Sequence, residues 1–329
     1  RDVLGSRGLG DVYKRQSLAI ALELAKKKNK IVMWTENPNI EEEFKNTHKL
    51  ASIIDVKIPN NITVTTDIAK VLDGSELIYM ATASKYVDSV CDKMAPYYNK
   101  LVPICIASKG IEESSEELLS NIIEQKLKTK HIAVISGPTF AIDIIHDEPV
   151  ALAIGSNSLK TQSLVIQTLA NDHLKLRPTK DMIGIQLCGS VKNVIAIAAG
   201  IVSGLGYSES TRSFLINESL HDIKDIIYYL GGNPKTILSF AGVGDLMLTC
   251  SSTKSRNFSF GYCIGSTKDP KKVKEYLINN TVEGYYTLDT LYRMLKKKRI
   301  KIELINVIYD IVYNNDAPNK LITFLINKK

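Results

Sequence analysis

Four short segments carry side chains able to do chemistry, and each stands beside an apolar run that can hold it in place. Ser108-Lys109-Gly110 follows the apolar stretch 101–107, and Ser136-Gly137-Pro138-Thr139-Phe140 follows 132–135. Val191-Lys192-Asn193 lies inside an apolar helical pattern. Gly242-Val243-Gly244-Asp245-Leu246 leads through Thr249 to Ser255-Arg256-Asn257. Lys192 is the most informative of these residues. Its neighbours Val191, Val194, Ile195 and Ile197 are apolar, and a buried lysine must find a partner or give up its charge. The plain alternative is an ammonium that snorkels to the surface. The functional reading is a lysine of lowered pKa that acts as a general base, lowered further by repulsion from Lys109 if both face one cleft. Arg256 and Asn257 suit a phosphate: Ser255 caps a helix whose first N–H groups face an anion, and a guanidinium binds phosphate oxygens bidentately. Taken singly, Ser255-Arg256-Asn257 reads as a capped helix, and Asp245 and Lys109-Gly110 read as turn residues.

The elements that must position these groups fall into two sets. Short apolar runs at Ile31–Trp34, 77–81, 101–107, 132–135 and 150–154 read as strands. Between them, 17–28, 85–97, 114–126 and 158–171 have helical periodicity. Strands alternating with helices, without polar alternation inside the strands, predict a parallel sheet covered on both faces. After Pro178 the strands stop, and 181–205, 209–230, 270–277, 284–297, 302–313 and 319–325 read as helices. The expected division is therefore an α/β domain over residues 1–180 and an all-helical domain over 181–329. Ligands of such sheets bind at the carboxyl ends of the strands, where the Lys109 and Gly137 segments sit. Gly184, Gly189, Gly200 and Gly204 weaken the helix 181–205 by about 1 kcal/mol each, a cost offset if neighbouring backbones approach closely there.

Bulk properties narrow the function classes. With 329 residues, 44% of them hydrophobic and 23% charged, the chain can bury a two-domain core. The net charge of +7 favours anionic ligands without implying nucleic acid, because the lysine runs at 26–28, 268–274 and 296–301 read as helix ends and solvated faces. Cys91, Cys105, Cys188, Cys250 and Cys263 form no Cys-x-x-Cys pair and no cluster with histidine. That pattern argues against a disulfide framework or a metal site and for a reducing, cytoplasmic setting. The longest apolar run, 182–205, contains Gln186, Lys192 and Asn193. Such groups are costly in lipid, so a buried helix is expected rather than a membrane span.

Read together, the segments resemble the bacterial NAD(P)-dependent glycerol-3-phosphate dehydrogenase family. The resemblance rests on Ser108-Lys109-Gly110, the run from Ala133 to Ala141, and the run from Ile185 to Ala196. It continues through Gly242 to Leu246, Leu248-Thr249-Cys250, Ser255-Arg256-Asn257 and Val282-Glu283-Gly284-Tyr285, and spans about residues 17 to 329. It implies a Rossmann-type sheet domain followed by a helical domain like the C-terminal one of 6-phosphogluconate dehydrogenase. It further implies hydride exchange between a nicotinamide and C2 of sn-glycerol 3-phosphate, giving dihydroxyacetone phosphate, and a supply of glycerol 3-phosphate for phospholipid synthesis. Lys192 would be the proton acceptor. Lys109, Gly137, Thr139, Asp245, Ser255, Arg256 and Asn257 would line the substrate site, and Lys109, Ala141, Arg256 and Glu283 would meet the cofactor. The resemblance also implies a cytoplasmic homodimer that acts on small molecules and binds no nucleic acid.

The start of the chain departs from that pattern. Aligning Leu18-Ala19-Ile20 with the family's first helix places its Gly-x-Gly-x-x-Gly at Gly10, Val12 and Arg15, so only Gly10 remains as a cofactor-loop residue. Residues 1–16 read as foreign to the domain, and no apolar strand precedes Gly10. Thr82-Ala83-Ser84 stands where the family often has Val-Pro-Ser. Glu36, just after Ile31–Trp34, is placed to hydrogen-bond a ribose hydroxyl and repel the extra phosphate of NADP. NAD(H) is therefore favoured over NADP(H), with the start of a polar loop as the alternative. Two rival readings are a dehydrogenase of another small hydroxy compound and a non-catalytic nucleotide- or nucleic-acid-binding protein. Ser255-Arg256-Asn257 with Lys109 speaks against the first, and Lys192 with Asp245 and Arg256 speaks against the second.

Overall fold

The computed structural model describes residues 6–51, 53–267 and 269–328, with side chains from residue 15 onward. The first half runs α1 (Ser6–Lys26), β1 (Ile31–Trp34), α2 (Pro38–Thr47), β2 (Ile62–Thr65), α3 (Ile68–Leu72), β3 (Ile78–Met80) and α4 (Ser84–Met94). It continues with β4 (Ile104–Ile106), α5 (Leu119–Leu127), β5 (Ile132–Ser136), α6 (Ala141–Ile145), β6 (Val150–Ser156), α7 (Leu159–Leu169) and β7 (Leu174–Thr179). All residues of β4 and β5 are buried, as expected for strands covered on both faces.

Sequence patterning finds most of these elements and misses five: β2, β7, α2, α3 and α6. β2 and β7 alternate: Thr63 is exposed between buried Ile62 and Val64, and Lys175 and Arg177 point out between Leu174 and Leu176. β7 is an edge strand, which is why Pro178 is tolerated in it. The helices α2 and α3 are short, and their clearest signals are their caps. Asn37 accepts from Asn39 N and Asp67 accepts from Ala69 N. The helix expected from residue 114 begins only at Leu119. Glu112 accepts hydrogen bonds from the backbone N–H and hydroxyl groups of Ser114 and Ser115 and holds that stretch in a turn.

The sheet corrects the expectation of an all-parallel arrangement. β3, β4 and β5 are parallel, β6 pairs antiparallel with β5, and β7 is parallel to β6. The link between β5 and β6 contains only the five-residue α6, too short for the crossover a parallel pair requires. A second correction is that the strands form two sheets rather than one: β1 pairs only with β2, and β3 begins the five-stranded sheet. Where a strand and glycine turn would precede the first helix, α1 is helical from Ser6 to Lys26. Gly10 therefore lies within a helix, although its local surroundings fall outside the described side chains, as do those of Val12. Arg15 donates to Ile53 O at 3.2 Å.

Beyond β7 the described chain is helical: α8 (Met182–Gly204), α9 (Glu209–Tyr229), α10 (Asp245–Ser251), α11 (Arg256–Ser266), α12 (Pro270–Asn279), α13 (Glu283–Lys297), α14 (Glu303–Tyr313) and α15 (Lys320–Asn327). A 3-10 turn, Pro234–Leu238, and a π turn, Phe240–Gly244, lead into α10. α8 is the axis of this domain. It is long and apolar enough to cross a bilayer, yet it is entirely buried within the protein. Two of its glycines make the close backbone approach expected of them. A Cβ on Gly200 would lie 2.0 Å from Phe258 O, and one on Gly204 would lie 2.4 Å from Tyr262 O. Gly184 and Gly189 instead face the side chains of Asp181 and Ser136.

Candidate active site

The polar residues of α8 dock it onto the sheet domain and aim Lys192 at one place. Gln186 accepts from Ser120 N at 3.0 Å and donates to Ser120 Oγ at 2.9 Å. Ser190 accepts from Gly110 N at 3.1 Å and donates to Gln186 O at 2.8 Å. Gly110 has φ +133°, a conformation that L side chains rarely adopt, and a Cβ there would meet Ser84 Oγ at 2.6 Å. The turn after β4 therefore presents Lys109 towards α8. On the next strand, a Cβ on Gly137 would lie 2.7 Å from Ala151 O, so β5 and β6 meet tightly just before Pro138 and Thr139.

Asp245 joins these parts. It is 1% exposed and begins α10. Its Oδ1 accepts from Lys192 Nζ at 2.6 Å, and its Oδ2 accepts from Lys109 Nζ at 2.7 Å. One carboxylate thus holds two ammonium groups and leaves a net positive charge in a buried setting. Thr249, four residues along the same helix face as Asp245, accepts from Lys192 Nζ at 2.8 Å and donates to Asp245 O at 2.7 Å. Burial lowers the Lys192 pKa to about 8; the Asp245 charge opposes this shift and Lys109 adds to it. The lowered value and the repulsion by Lys109 agree in direction with the sequence reading, but burial is the largest cause. A neutral amine has two N–H groups, which Asp245 and Thr249 can satisfy, leaving its lone pair for a proton.

Apart from Gly10, whose surroundings lie outside the described side chains, the remaining sequence candidates lie on the segments around this network, with Glu36 as the exception. Ser255 accepts from Phe258 N at 3.3 Å and places Arg256 in the first turn of α11. Asn257 accepts from Gly284 N at 2.8 Å, and Asn193 donates to Glu283 Oε2 at 3.1 Å. Asn257 and Glu283 therefore lock α11, α13 and α8 together. Gly244 lies against Pro138, with the ideal Cβ position 3.4 Å from its Cγ, and Lys254 Nζ lies 5.8 Å from the ring centre of Phe140. The segment after β5 thereby joins the segment leading to Arg256. Lys109, Gly137, Thr139 and Ala141 line a small cavity of about 40 Å³. Glu36 stands apart: its carboxylate is paired with Lys93, whose Nζ lies 5.6 Å from the centre of the Trp34 ring.

Sequence reasoning missed two residues of this site. Thr249 was legible as the i+4 neighbour of Asp245 but shows its role only through the bond to Lys192. Ser136, at the end of β5 and 4% exposed, has a hydroxyl without a hydrogen-bond partner in the protein. That hydroxyl lies 2.9 Å from the ideal Cβ position of Gly189, one turn before Lys192. Among the described residues one further cluster, Glu23, Asp147 and His173, has metal-ligand spacing. Lys26 occupies it by pairing with both carboxylates.

A largely parallel sheet followed by a helical domain, with a buried lysine of lowered pKa between them, is an arrangement suited to a dinucleotide-dependent dehydrogenase. Residues 17–162 match the family model described as NAD-dependent glycerol-3-phosphate dehydrogenase N-terminus, and residues 181–323 match the corresponding C-terminus. A glycerol-3-phosphate dehydrogenase [NAD(P)+] of Thermoanaerobacter sp. is 32% identical over 311 residues, covering 94% of this chain and 93% of the relative. The enzyme of that name from Staphylococcus epidermidis is 29% identical, covering 94% of each chain. The crystal structure of glycerol-3-phosphate dehydrogenase from Coxiella burnetii superposes with a TM-score of 0.89 at 28% identity, covering 95% of this chain and 96% of that one. The chain belongs to the NAD-dependent glycerol-3-phosphate dehydrogenase family, and is an NAD(P)-dependent oxidoreductase.

The residues present fit the two ends of such a cofactor unequally. Near Lys192, the turns after β4 and β5 provide Lys109, Gly137, Ala141 and a Ser136 hydroxyl with no partner among the described residues. At the pyrophosphate end the usual device is a glycine turn between a strand and a helix N-terminus. Here α1 runs as helix through that stretch, with no strand ahead of it among the described residues.

Proposed function

We propose that this chain interconverts dihydroxyacetone phosphate and sn-glycerol 3-phosphate, with Lys192 as the group that takes and returns the hydroxyl proton. The carrying observation is the buried Lys192 amine, held by Asp245 and Thr249 opposite Lys109, with a pKa lowered to about 8. In the oxidising direction the proton on the C2 hydroxyl passes to the Lys192 lone pair. A bound nicotinamide supplies the two-electron acceptor for the hydride leaving C2. As the proton arrives, Lys192 and Lys109 together exceed the single charge of Asp245, and that growing excess stabilises the oxygen as it develops alkoxide character. Arg256 and the first turn of α11 take the phosphate, and Ser255 shapes that turn. Gly137 and Thr139 border the substrate, while Lys109, Ala141, Arg256 and Glu283 border the cofactor. In the reducing direction the same groups return the proton, and the product, glycerol 3-phosphate, is a precursor for phospholipid synthesis.

Several features of this reading go beyond chemistry. The domain boundary is placed between residues 180 and 181, in the turn from β7 to α8. Glu36 favours NAD(H) by repelling an added phosphate, and Lys93 weakens that effect because it is already paired with Glu36. Five free thiols, four of them buried, suit the cytoplasm. Exposed Phe214, Tyr228 and Tyr229 on α9 offer a surface for a homodimer, which sedimentation across a concentration series would test. The activity itself is tested by following NADH absorbance with dihydroxyacetone phosphate. A parallel assay with other hydroxy or oxo acids shows whether the substrate class is wrong. Turnover of an unphosphorylated compound in preference to dihydroxyacetone phosphate would overturn the reading.

A further inference from the structure

α13 meets the reaction site at one end and the sheet domain at the other. In its first turn Glu283 Oε2 accepts from Asn193 Nδ2 at 3.1 Å, and Gly284 N donates to Asn257 Oδ1 at 2.8 Å. Asn193 directly follows Lys192. Further along α13, about 15 Å up the helix axis from Glu283, Arg293 reaches across to the sheet domain. Its Nη1 donates to Glu116 Oε1 at 2.7 Å, and its Nη2 donates to Glu113 O at 3.0 Å. Both acceptors lie between β4 and α5, on the segment that begins with Lys109-Gly110.

The segment 110–118 is a closed unit. Ile111 and Leu118 form an antiparallel bridge, and Glu112 N donates to Glu117 O at 2.9 Å. The Glu112 carboxylate fills the turn by accepting from Ser114 N at 3.1 Å and Ser115 N at 2.7 Å. At the tip, Glu116 has φ +60°, a left-handed conformation that residues with a Cβ rarely adopt. α8 holds the two ends, through Ser190 to Gly110 N and through Gln186 to Ser120 N. Arg293 holds the tip, with Lys297 Nζ 3.6 Å from the second oxygen of Glu116. Arg293 is itself oriented: its Nε donates to Asp289 Oδ2 at 3.0 Å, and Tyr309 OH of α14 donates to Asp289 Oδ1 at 3.4 Å. Tyr309 stacks on Tyr292 with ring centres 3.8 Å apart. A planar guanidinium that meets three acceptors fixes a direction that a lysine in its place cannot.

We propose, on the reading that Lys192 and Lys109 share the reaction, that α13 is a strut between the holders of these two lysines, and that Arg293 is a positioning residue that keeps Lys109 on Asp245. One end of the strut steadies Asn193 beside Lys192. The other steadies the turn whose stem carries Lys109. With the tip released, the turn tilts on its α8 anchors and Lys109 shifts off Asp245 Oδ2, while Lys192 keeps its own bond to Oδ1. The charges that reach Lys192 come from Asp245 of α10, Lys109 after β4 and Glu283 of α13, with the Cys250 thiol of α10 also within range. Of these groups, Lys109 alone lies on the segment that Arg293 grips. Lys109 lowers the Lys192 pKa and Asp245 raises it, so withdrawing Lys109 moves that pKa up.

The test compares Arg293→Gln and Arg293→Lys with the unaltered chain, by amide hydrogen exchange and by kinetics in both directions. Arg293→Gln should speed exchange at the Gly110 amide about tenfold and lower kcat by about tenfold, the scale of a small displacement of a reacting group. The inflection of the oxidation rate should move to higher pH. Arg293→Lys, which keeps the charge and reaches one acceptor, should fall between the two. The thermal midpoint should hardly move, because Arg293 is 39% exposed and such pairs contribute little to stability. In a Lys109→Gln background, adding Arg293→Gln should change kcat by less than about twofold, since both changes act on one group. Unchanged exchange at Gly110, or a pH inflection that stays in place, overturns the proposal. Equal losses of kcat with and without Lys109 also overturn it, because Arg293 then acts elsewhere. Should the unaltered chain fail to turn over dihydroxyacetone phosphate, the dehydrogenase reading falls separately, and exchange at Gly110 alone decides whether the strut exists.

Discussion

Lys192 and Lys109 are both paired through Asp245, whereas β1 and β3 each present an edge that no strand pairs among the described residues. The two regions differ in how their contacts are made. The lysine network is assembled from segments brought together by α8, α10 and the turn after β4, and its charged groups are held by neighbours already in place. Lys192 has Asp245 and Thr249, and Lys109 has the second oxygen of Asp245. At β1 and β3 the contacts are backbone ladders instead: β1 pairs only with β2, and β3 only with β4, among the described strands. The site therefore rests on side-chain contacts between distant segments, and substitutions can be chosen to probe each of them.

The largest effect is expected from Lys192→Ala. The protein should fold, since the change removes a cation from an apolar helix and leaves Asp245 paired with Lys109, but turnover should fall on the order of 10²–10⁴-fold. Near-normal kcat at saturating substrate would remove Lys192 from the reaction. Arg256→Ala comes next. Loss of a charged phosphate contact costs about 1.5–3 kcal/mol, so KM for dihydroxyacetone phosphate should rise roughly ten- to hundredfold with a smaller change in kcat. Steady-state kinetics would reveal an unchanged KM and send the phosphate elsewhere.

Packing provides the third comparison. Gly200→Ala would drive a Cβ to 2.0 Å from Phe258 O, and overpacking of this kind typically costs about 1–3 kcal/mol. Thermal unfolding should register that loss in the helical domain; an unchanged midpoint would mean that α8 and α11 separate easily.

The pH dependence sharpens the role of Asp245. Oxidation of glycerol 3-phosphate needs neutral Lys192, so its rate should rise with pH and level off above about 8. Reduction needs the protonated form, so its rate should decline over the same range. Asp245 raises the Lys192 pKa by its charge. Asp245→Asn should therefore move both inflections to lower pH, besides slowing the reaction, and an inflection that stays fixed would mean another group titrates. Glu36→Arg should have the smallest effect, a several-fold shift of kcat/KM from NADH towards NADPH. The effect is limited because Lys93 already pairs with Glu36, and an unaltered cofactor ratio would show that Glu36 only begins a loop.

Much of the architecture was legible because burial leaves a pattern along the chain. The runs that became β1, β3, β4, β5 and β6 were apolar without alternation, and most helices from 182 onwards carried strong periodicity or a cap, while α10 was hidden because Asp245 between glycines reads as a turn. β2 and β7 were harder to see because alternation with threonine, lysine and arginine resembles loop composition over so few residues. The antiparallel turn between β5 and β6 was hidden for a different reason: direction depends on where a short connection packs, not on the strand's own residues. At the site, Lys192 was conspicuous as a charge among apolar neighbours, and Lys109, Asp245 and Arg256 became meaningful only as a set. Ser136 and Thr249 gave little signal, since a serine ending a strand and a threonine in a helix are common.

The sequence by itself determined which residues could carry charge into an apolar core, where glycines permitted tight turns, and where strands give way to helices. These are local properties, set by side-chain chemistry and backbone sterics at each position. Only the tertiary structure decided that one carboxylate would hold both lysines, that Asn257 would join α11 to α13, and that β1 and β3 would lie in separate sheets. Those outcomes depend on distances between residues far apart in the chain, and the energy of a buried charge or an unpaired strand edge depends on what stands a few ångströms away.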